Sequence, residues 1–293
     1  MERTKKRMKR LGALFCALLL GMVIVGCGNG AVETNNTKTT DESDKETEKQ
    51  TTEAAKKDSA EEVELHILAA ASMTDVLTEL GEIYEKDHPE VKLTFSFDSS
   101  GTLQTQIEEG APADIFLSAA LKQMNALKEE NLMDENSIIE LLENKVVLIK
   151  PEGSDLDIKS FEDVASDKVK MVAIGNSDVP VGQYTQKIYE KLGLWDQIQA
   201  KANLGTNVRQ VLDWVATKNA DCGIVYATDA AIEENVEIVC EAPEGSCDPA
   251  IYPAGIVKAS EYPDEAQEFL NFIKSDTAKE AFEKYQFTYI YSK

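Results

Sequence analysis

The stretch Phe95-Ser96-Phe97-Asp98-Ser99-Ser100-Gly101-Thr102-Leu103 joins an apolar run to a helical pattern through two serines and a glycine. Serine hydroxyls and the N–H groups of a helix start then point at one spot beyond the strand. Such a set can hold an anion without a fixed positive charge. The first N–H groups of a helix lack intrahelical acceptors and carry the positive end of its dipole. Ala69-Ala70-Ala71-Ser72-Met73-Thr74 repeats the arrangement at the end of an earlier apolar run. Taken singly, each turn reads as a capped helix with no ligand, by far the commonest use of serine there. Two in one sheet suggest a shared ligand. Gly101 strengthens the second, since a glycine lets the backbone approach a ligand closely. Ser99 and Ser100 are both candidates for the contact.

Later turns match these. Val179-Pro180-Val181-Gly182 precedes a helical pattern, and Gly205-Thr206-Asn207-Val208-Arg209 begins another. Ordinary capping accounts for both as well. Arg209 is a tempting anion ligand, but a surface or ion-pair role is the safer reading in so acidic a chain. Tyr226 ends the run Gly223-Ile224-Val225-Tyr226, either as a core aromatic or as an O–H donor to an anion. Enzyme chemistry has less support. His66 sits inside a strand pattern and His88 precedes Pro89, and neither accompanies a nucleophile. No Gly-x-Ser-x-Gly, P-loop, His-Glu-x-x-His or Gly-x-Gly-x-x-Gly motif occurs. A surface adhesin would not need donors converging from several helix starts.

The elements that must position these groups alternate from Val63 onward. Strands are expected at 64–70, 91–97, 114–118 and 145–150, with helices at 74–86, 102–109 and 121–130 between them. Beyond Gly153 a short helix at 161–165, strands at 170–174, 222–226, 237–240 and 251–257, and helices at 182–192, 207–218, 263–274 and 276–285 follow. This rhythm implies an α/β protein with a parallel-rich sheet. About 230 residues is large for one open sheet, so two lobes are expected. Lobe 1 would be 63–146 with 253–293, and lobe 2 would be 147–252. Two strands, near 147–150 and 251–254, would cross between them as a hinge flanking a cleft.

The chain opens differently. Arg3, Lys5, Lys6, Arg7, Lys9 and Arg10 precede the apolar run Leu11–Val25, which is short for a membrane span and reads as a secretory signal. It ends in Ile24-Val25-Gly26-Cys27, which resembles a lipobox whose cysteine is acylated and becomes the mature N-terminus. The alternative is an uncleaved anchor helix. Residues 28–62 hold ten Asp/Glu, five Lys, seven Thr and no aromatic residue, too little apolar surface to offset chain entropy. Residues 27–62 therefore read as a lipid-anchored disordered tether, able as a coil to span roughly 30–40 Å.

Loss of residues 1–26 would leave 24 basic against 52 acidic residues, a net charge of −28. No basic stripe exists to neutralise phosphates, so a nucleic-acid partner is excluded. The same charge repels an anionic ligand, so local donors must hold it. Cys16 and Cys27 belong to the leader. Of Cys222, Cys240 and Cys247, the last two could close a short loop, or all three could be free thiols.

Taken together, these segments resemble the molybdate-binding proteins of ABC transporters, over essentially residues 63–293. The resemblance rests on Ala-Ala-Ser-Met-Thr at 70–74, Ser-Ser-Gly-Thr-Leu at 99–103 and Gly-Ala-Pro-Ala-Asp-Ile-Phe-Leu-Ser-Ala at 110–119. It continues through Val-Pro-Val-Gly at 179–182, Asn-Val-Arg-Gln-Val-Leu at 207–212, Gly-Ile-Val-Tyr at 223–226 and Tyr-Gln-Phe at 285–287. It implies the two-lobed periplasmic-binding-protein type II fold with a hinge of two crossing strands. It also implies an extracytoplasmic lipoprotein, a monomer on the outer face of the cell membrane, that delivers molybdate or tungstate to an ABC permease. No enzyme activity and no cofactor are implied. The ligand contacts fall on the Ser72 and Ser100 hydroxyls, the Val181 and Val208 N–H groups and the Tyr226 hydroxyl. Molybdenum would be held as molybdate through these groups, with no direct protein–metal bond. Arg209 is not a ligand in that picture. Val181 stands where the family often has alanine. Asp98 replaces a usual small residue and is expected to point away from the site. A shell made only of donors suits a fully deprotonated tetrahedral oxyanion, which leaves sulfate as the alternative ligand and a surface hydrolase as a remoter one.

Overall fold

The computed structural model describes residues 63–292, so the leader, Cys27 and the tether lie outside the described residues. From Val63 the chain forms β1 (Val63–Ala70), α1 (Thr74–Asp87), β2 (Val91–Asp98), α2 (Ser100–Glu108), β3 (Ile115–Leu117) and α3 (Leu121–Glu129). β1 pairs in parallel with β2 on one side and β3 on the other. Its successive side chains point to opposite faces, yet Leu65, Ile67, Leu68 and Ala69 are all buried. Both faces must therefore be covered. Val76, Leu77, Leu80 and Tyr84 recur at helical spacing on α1 and join Leu65, Ile67 and Ala69 in one core. Leu68 and Phe116 instead meet Leu103 and Ile107 of α2 and Met124 and Leu127 of α3.

The chain then runs through β4 (Ile139–Asn144) and β5 (Val146–Pro151). Only Lys145 separates them, yet they belong to different sheets. β6 (Val172–Gly175), α4 (Pro180–Leu192), α5 (Trp195–Gln199) and β7 (Ala202–Gly205) follow. α6 (Val208–Ala216), β8 (Cys222–Tyr226), α7 (Ala227–Ala231) and β9 (Val236–Glu241) complete the second sheet. The return passes through 242–249 into β10 (Ala250–Ile256), and α8 (Pro263–Phe272), α9 (Asp276–Lys284) and β11 (Thr288–Tyr289) close the chain. The first sheet has the order β11-β4-β10-β3-β1-β2 and the second β7-β6-β8-β5-β9.

Both sheets are mixed. β10 runs antiparallel to β3 and β4, β11 to β4, and β5 to β8 and β9, which corrects the expectation of a parallel-rich sheet. The physical reason is the exchange between sheets: strands that enter from the other sheet are not bound by a β–α–β crossover and insert antiparallel. The expected strand at 251–257 lies wholly in the first sheet, with Ala250 paired to Asn144. At the first exchange point, Val146 pairs with Tyr226. β4, α5, β7, α7 and β11 were not expected. Each is short, and β4 carries Leu141-Leu142 side by side, which fits no strand alternation. Cys222, Cys240 and Cys247 are all free thiols. Among the described residues, no helix is long and apolar enough to cross a membrane.

Candidate oxyanion site

Two strand ends of the first sheet supply one wall. After β1, residues Ala71–Met73 make a single 3₁₀ turn before α1, and Ser72 lies buried in it. Its hydroxyl is 2.9 Å from that of Tyr252 on β10. After β2, Ser99 caps α2: its hydroxyl accepts the Thr102 N–H at 3.1 Å and meets Thr102 Oγ1 at 2.8 Å. That use of Ser99 separates the two serines. Ser100, the first residue of α2, is wholly buried, and its Oγ accepts the Ala119 N–H at 2.9 Å. With a lone pair occupied by that N–H, the Ser100 proton is left to donate elsewhere.

Two helix starts of the second sheet face them. Pro180 opens α4, where its missing N–H is no loss, and Val181 follows in the first turn. A Cβ on Gly182 would lie 2.3 Å from the Gly175 carbonyl oxygen, so only glycine lets this turn fold back on β6. Asn207 caps α6 by accepting the Gln210 N–H at 3.0 Å, which makes Val208 the first helical residue. First-turn N–H groups have no acceptor within their own helix. Tyr226, at the end of β8, sends its hydroxyl toward the Ala119 carbonyl at a long 3.4 Å. Burial, above all, holds the phenol well above its usual pKa, so it stays a donor.

These groups line one chamber, whose wall consists of Ala70–Ser72, Asp98–Ser100, Ala119, Val179–Val181, Val208 and Tyr226. It encloses about 200 Å³ of atom-free space, part of it open to solvent. The wall contains no lysine, arginine or histidine. A wider surface cleft lined by His66, Asp114 and Tyr262 meets the start of α8 alone, and another lined by Leu121, Lys122, Pro180 and Lys187 meets the starts of α3 and α4 and carries lysines.

Asp98 borders this chamber. Its Oδ1 accepts the Ser99 N–H at 2.7 Å and the Asn207 side-chain amide at 3.2 Å, so two donors offset its charge beside the chamber. Arg209 contributes nothing to the wall and instead bridges carboxylates, 2.6 Å from Asp75 on α1 and 2.9 Å from Asp229 on α7. The Asp229 approach lacks hydrogen-bond alignment. Burial pushes the Asp229 carboxyl up to about 6, and the Arg209 charge opposes that shift only in part.

Residues 65–288 match the family described as bacterial extracellular solute-binding protein. The chain belongs to that family. YvgL of Bacillus subtilis, which bears the name of an ABC transporter substrate-binding lipoprotein, is 41% identical over 232 residues, covering 79% of this chain and 88% of YvgL. The molybdate-binding protein ModA of Haemophilus influenzae is 39% identical over 226 residues, 76% of this chain and 89% of ModA. The periplasmic molybdate-binding protein of Azotobacter vinelandii shares the fold, with a TM-score of 0.69 at 22% identity, over 78% of this chain and all of that one. For a solute-binding family, a chamber between two sheets is the natural place for the solute.

Sequence reasoning missed the groups behind the wall. Asn144, Thr228 and Tyr252 hydrogen-bond to the lining residue Ser72 or to one another. Tyr252 carried one faint signal, a polar tip within an apolar strand. Its partner Ser72 is 180 positions away, and no local pattern encodes such a pairing.

Proposed function

We propose that this chain captures a small, fully deprotonated tetrahedral oxyanion, molybdate or tungstate, between its two sheets and presents it to an ABC permease. One observation carries the reading. Two serine hydroxyls, a phenol and helix starts from both sheets border a single small chamber that has no cationic side chain in its wall. Hydrogen bonds to a charged group contribute about 1.5–3 kcal/mol each. Five such contacts, from Ser72, Ser100, Val181, Val208 and Tyr226, span the roughly −8 kcal/mol of micromolar binding before desolvation is charged against them. Sulfate offers the same acceptor pattern in a smaller ion, and the naming of ModA relatives favours molybdate.

The division into two sheets supports two lobes, close to 63–146 with 253–293 and 147–252, exchanging at Lys145 and 242–249. Ligand binding favours the closed arrangement of these lobes, which the permease recognises. The name borne by YvgL supports an acyl anchor at Cys27 on the extracytoplasmic face of the cell membrane. Titration of the purified protein with molybdate, tungstate, sulfate and phosphate, read through Trp195 and Trp214 fluorescence, tests the ligand. Saturable responses to molybdate and tungstate are expected. A response to sulfate with none to either of these overturns the assignment. Radioactive palmitate incorporation that survives Cys27→Ala would overturn the anchor.

A further inference from the structure

Two carboxylates from elements of the first sheet hold the start of α6 on either side of Val208. Asn207 caps α6, and its side-chain oxygen accepts the Gln210 N–H at 3.0 Å. Its amide nitrogen donates to Asp98 Oδ1 at 3.2 Å. The reverse orientation of the amide would set an NH₂ against an N–H and an oxygen against a carboxylate, so cap and contact fix each other. Asp98 Oδ1 also accepts the Ser99 N–H at 2.7 Å, which holds the carboxylate at the end of β2. On the other side of Val208, Arg209 reaches Asp75, in the first turn of α1, at 2.6 Å. Each tie begins beside a serine of the chamber wall, since Asp98 closely precedes Ser100 and Asp75 closely follows Ser72. Both end on residues that flank Val208. Ser72, Ser100 and Val208 thus share one frame made of protein groups alone.

We propose that Asp98 and Asp75 are positioning residues, a two-point clasp that holds the start of α6 against both serine turns and sets how slowly the ion leaves. This rests on the oxyanion reading above. Release requires the serine turns to part from α6, and parting breaks both ties. Asp98 borders the chamber, so its charge also opposes a dianion. The two effects have opposite signs. A carboxylate that only repels would be better removed, whereas one that clasps would be missed. The contact with Asn207 favours the clasp, because the same two side chains order the starts of α2 and α6 and meet between elements of different sheets. The Arg209–Asp75 tie is partly exposed and is the weaker of the two.

Stopped-flow dissociation of molybdate, read through tryptophan fluorescence, tests the clasp. Asp98→Ala is expected to speed release at least about tenfold. Asp98→Asn keeps an acceptor oxygen and is expected to release no more than about threefold faster than the parent. Asn207→Ser keeps a cap for α6 but removes the amide donor, and should match Asp98→Ala. The double variant Asp98→Ala with Asn207→Ser should be no faster than either single, because all three lose one shared contact. Unchanged or slower release in Asp98→Ala, or single effects that add in full, overturns the proposal. Should Asp98→Ala not fold, Asp75→Asn decides through the weaker tie. Release about threefold faster at low salt is expected there, and an unchanged rate overturns the proposal. A second readout needs no ion. The Gly101 N–H donates to the Asp178 carbonyl at 3.0 Å, between elements of different sheets. Its hydrogen exchange in the ion-free protein is expected to quicken at least about tenfold in Asp98→Ala. If the unmodified protein binds none of molybdate, tungstate and sulfate, the oxyanion reading fails. The clasp is judged separately, and parental Gly101 exchange in Asp98→Ala overturns it.

Discussion

Ser100 Oγ accepts the Ala119 N–H and keeps its own proton free to donate, so one hydroxyl can serve both the fold and the proposed ligand. Ser100→Ala is expected to cost about 1–3 kcal/mol of stability by orphaning that buried N–H, and to weaken oxyanion binding at least about tenfold. Thermal unfolding and titration measure the two effects separately, and unchanged affinity would remove Ser100 from the site. Asp229 gives a pH prediction of definite sign. Its carboxyl sits at about 6 in the folded chain, raised from 3.8 chiefly by burial. Between these values the folded state holds a proton that the unfolded state has released. The contribution is fully present below about pH 4 and is lost as pH rises through about 6, by at most about 3 kcal/mol. Asp229→Asn should therefore flatten the stability profile between pH 4 and pH 7. A variant with the same slope as the parent would show that Asp229 titrates normally.

Helix starts and strand ends do their work at the scale of elements. Four short turns were legible as helix starts, because serine, glycine and asparagine favour such junctions, and as candidate anion cradles only when taken together. The sequence could not say that α2 and α4 approach until backbone meets backbone. The Gly101 N–H donates to the Asp178 carbonyl at 3.0 Å, between elements of different sheets. A Cβ on Gly101 would lie 2.3 Å from that carbonyl oxygen. Gly101→Ala is thus expected to leave both sheets folded while blocking this close approach, and to lower oxyanion affinity by about tenfold or more. Near-parental affinity would mean that the approach is not required for binding. Arg209 acts on the same scale, tying α1 to α6 through Asp75. Both side chains are partly exposed, so the pair contributes only about 0–1 kcal/mol.

Over the whole molecule, the acidic charge works against the ligand it is proposed to hold. The full chain carries a net charge of −23. An approaching dianion meets repulsion once it comes within about 8 Å, the screening length at physiological salt. Capture should therefore accelerate as ionic strength rises from about 10 mM to about 150 mM, the reverse of a cation-lined site. Stopped-flow tryptophan fluorescence would measure this, and a rate that falls with salt would point to a local positive field not found in the chamber wall. Exchange of the chain at Lys145 and 242–249 places helix starts of both sheets around one chamber, as the proposed capture of an ion requires. A single sheet would leave the ion half solvated.

Local chemistry settled much of this protein before any contact was known. Alternating apolar runs and helical stretches fixed the α/β class, because periodicity reports which faces must be buried. Capping residues marked the helix starts that border the chamber, because helix starts need acceptors nearby. What only the tertiary structure decided depends on groups far apart in the chain. It separated Ser100 from Ser99, since only the fold brings Ala119 behind one of them. It brought Asp98, at the end of β2, against Asn207, at the start of α6. It made both sheets mixed, since strands returning from the other sheet insert antiparallel. It also joined Ser72 to Tyr252 across 180 positions. Hydrogen-bond direction follows from which donors and acceptors packing leaves together, and the one-dimensional pattern does not carry that information.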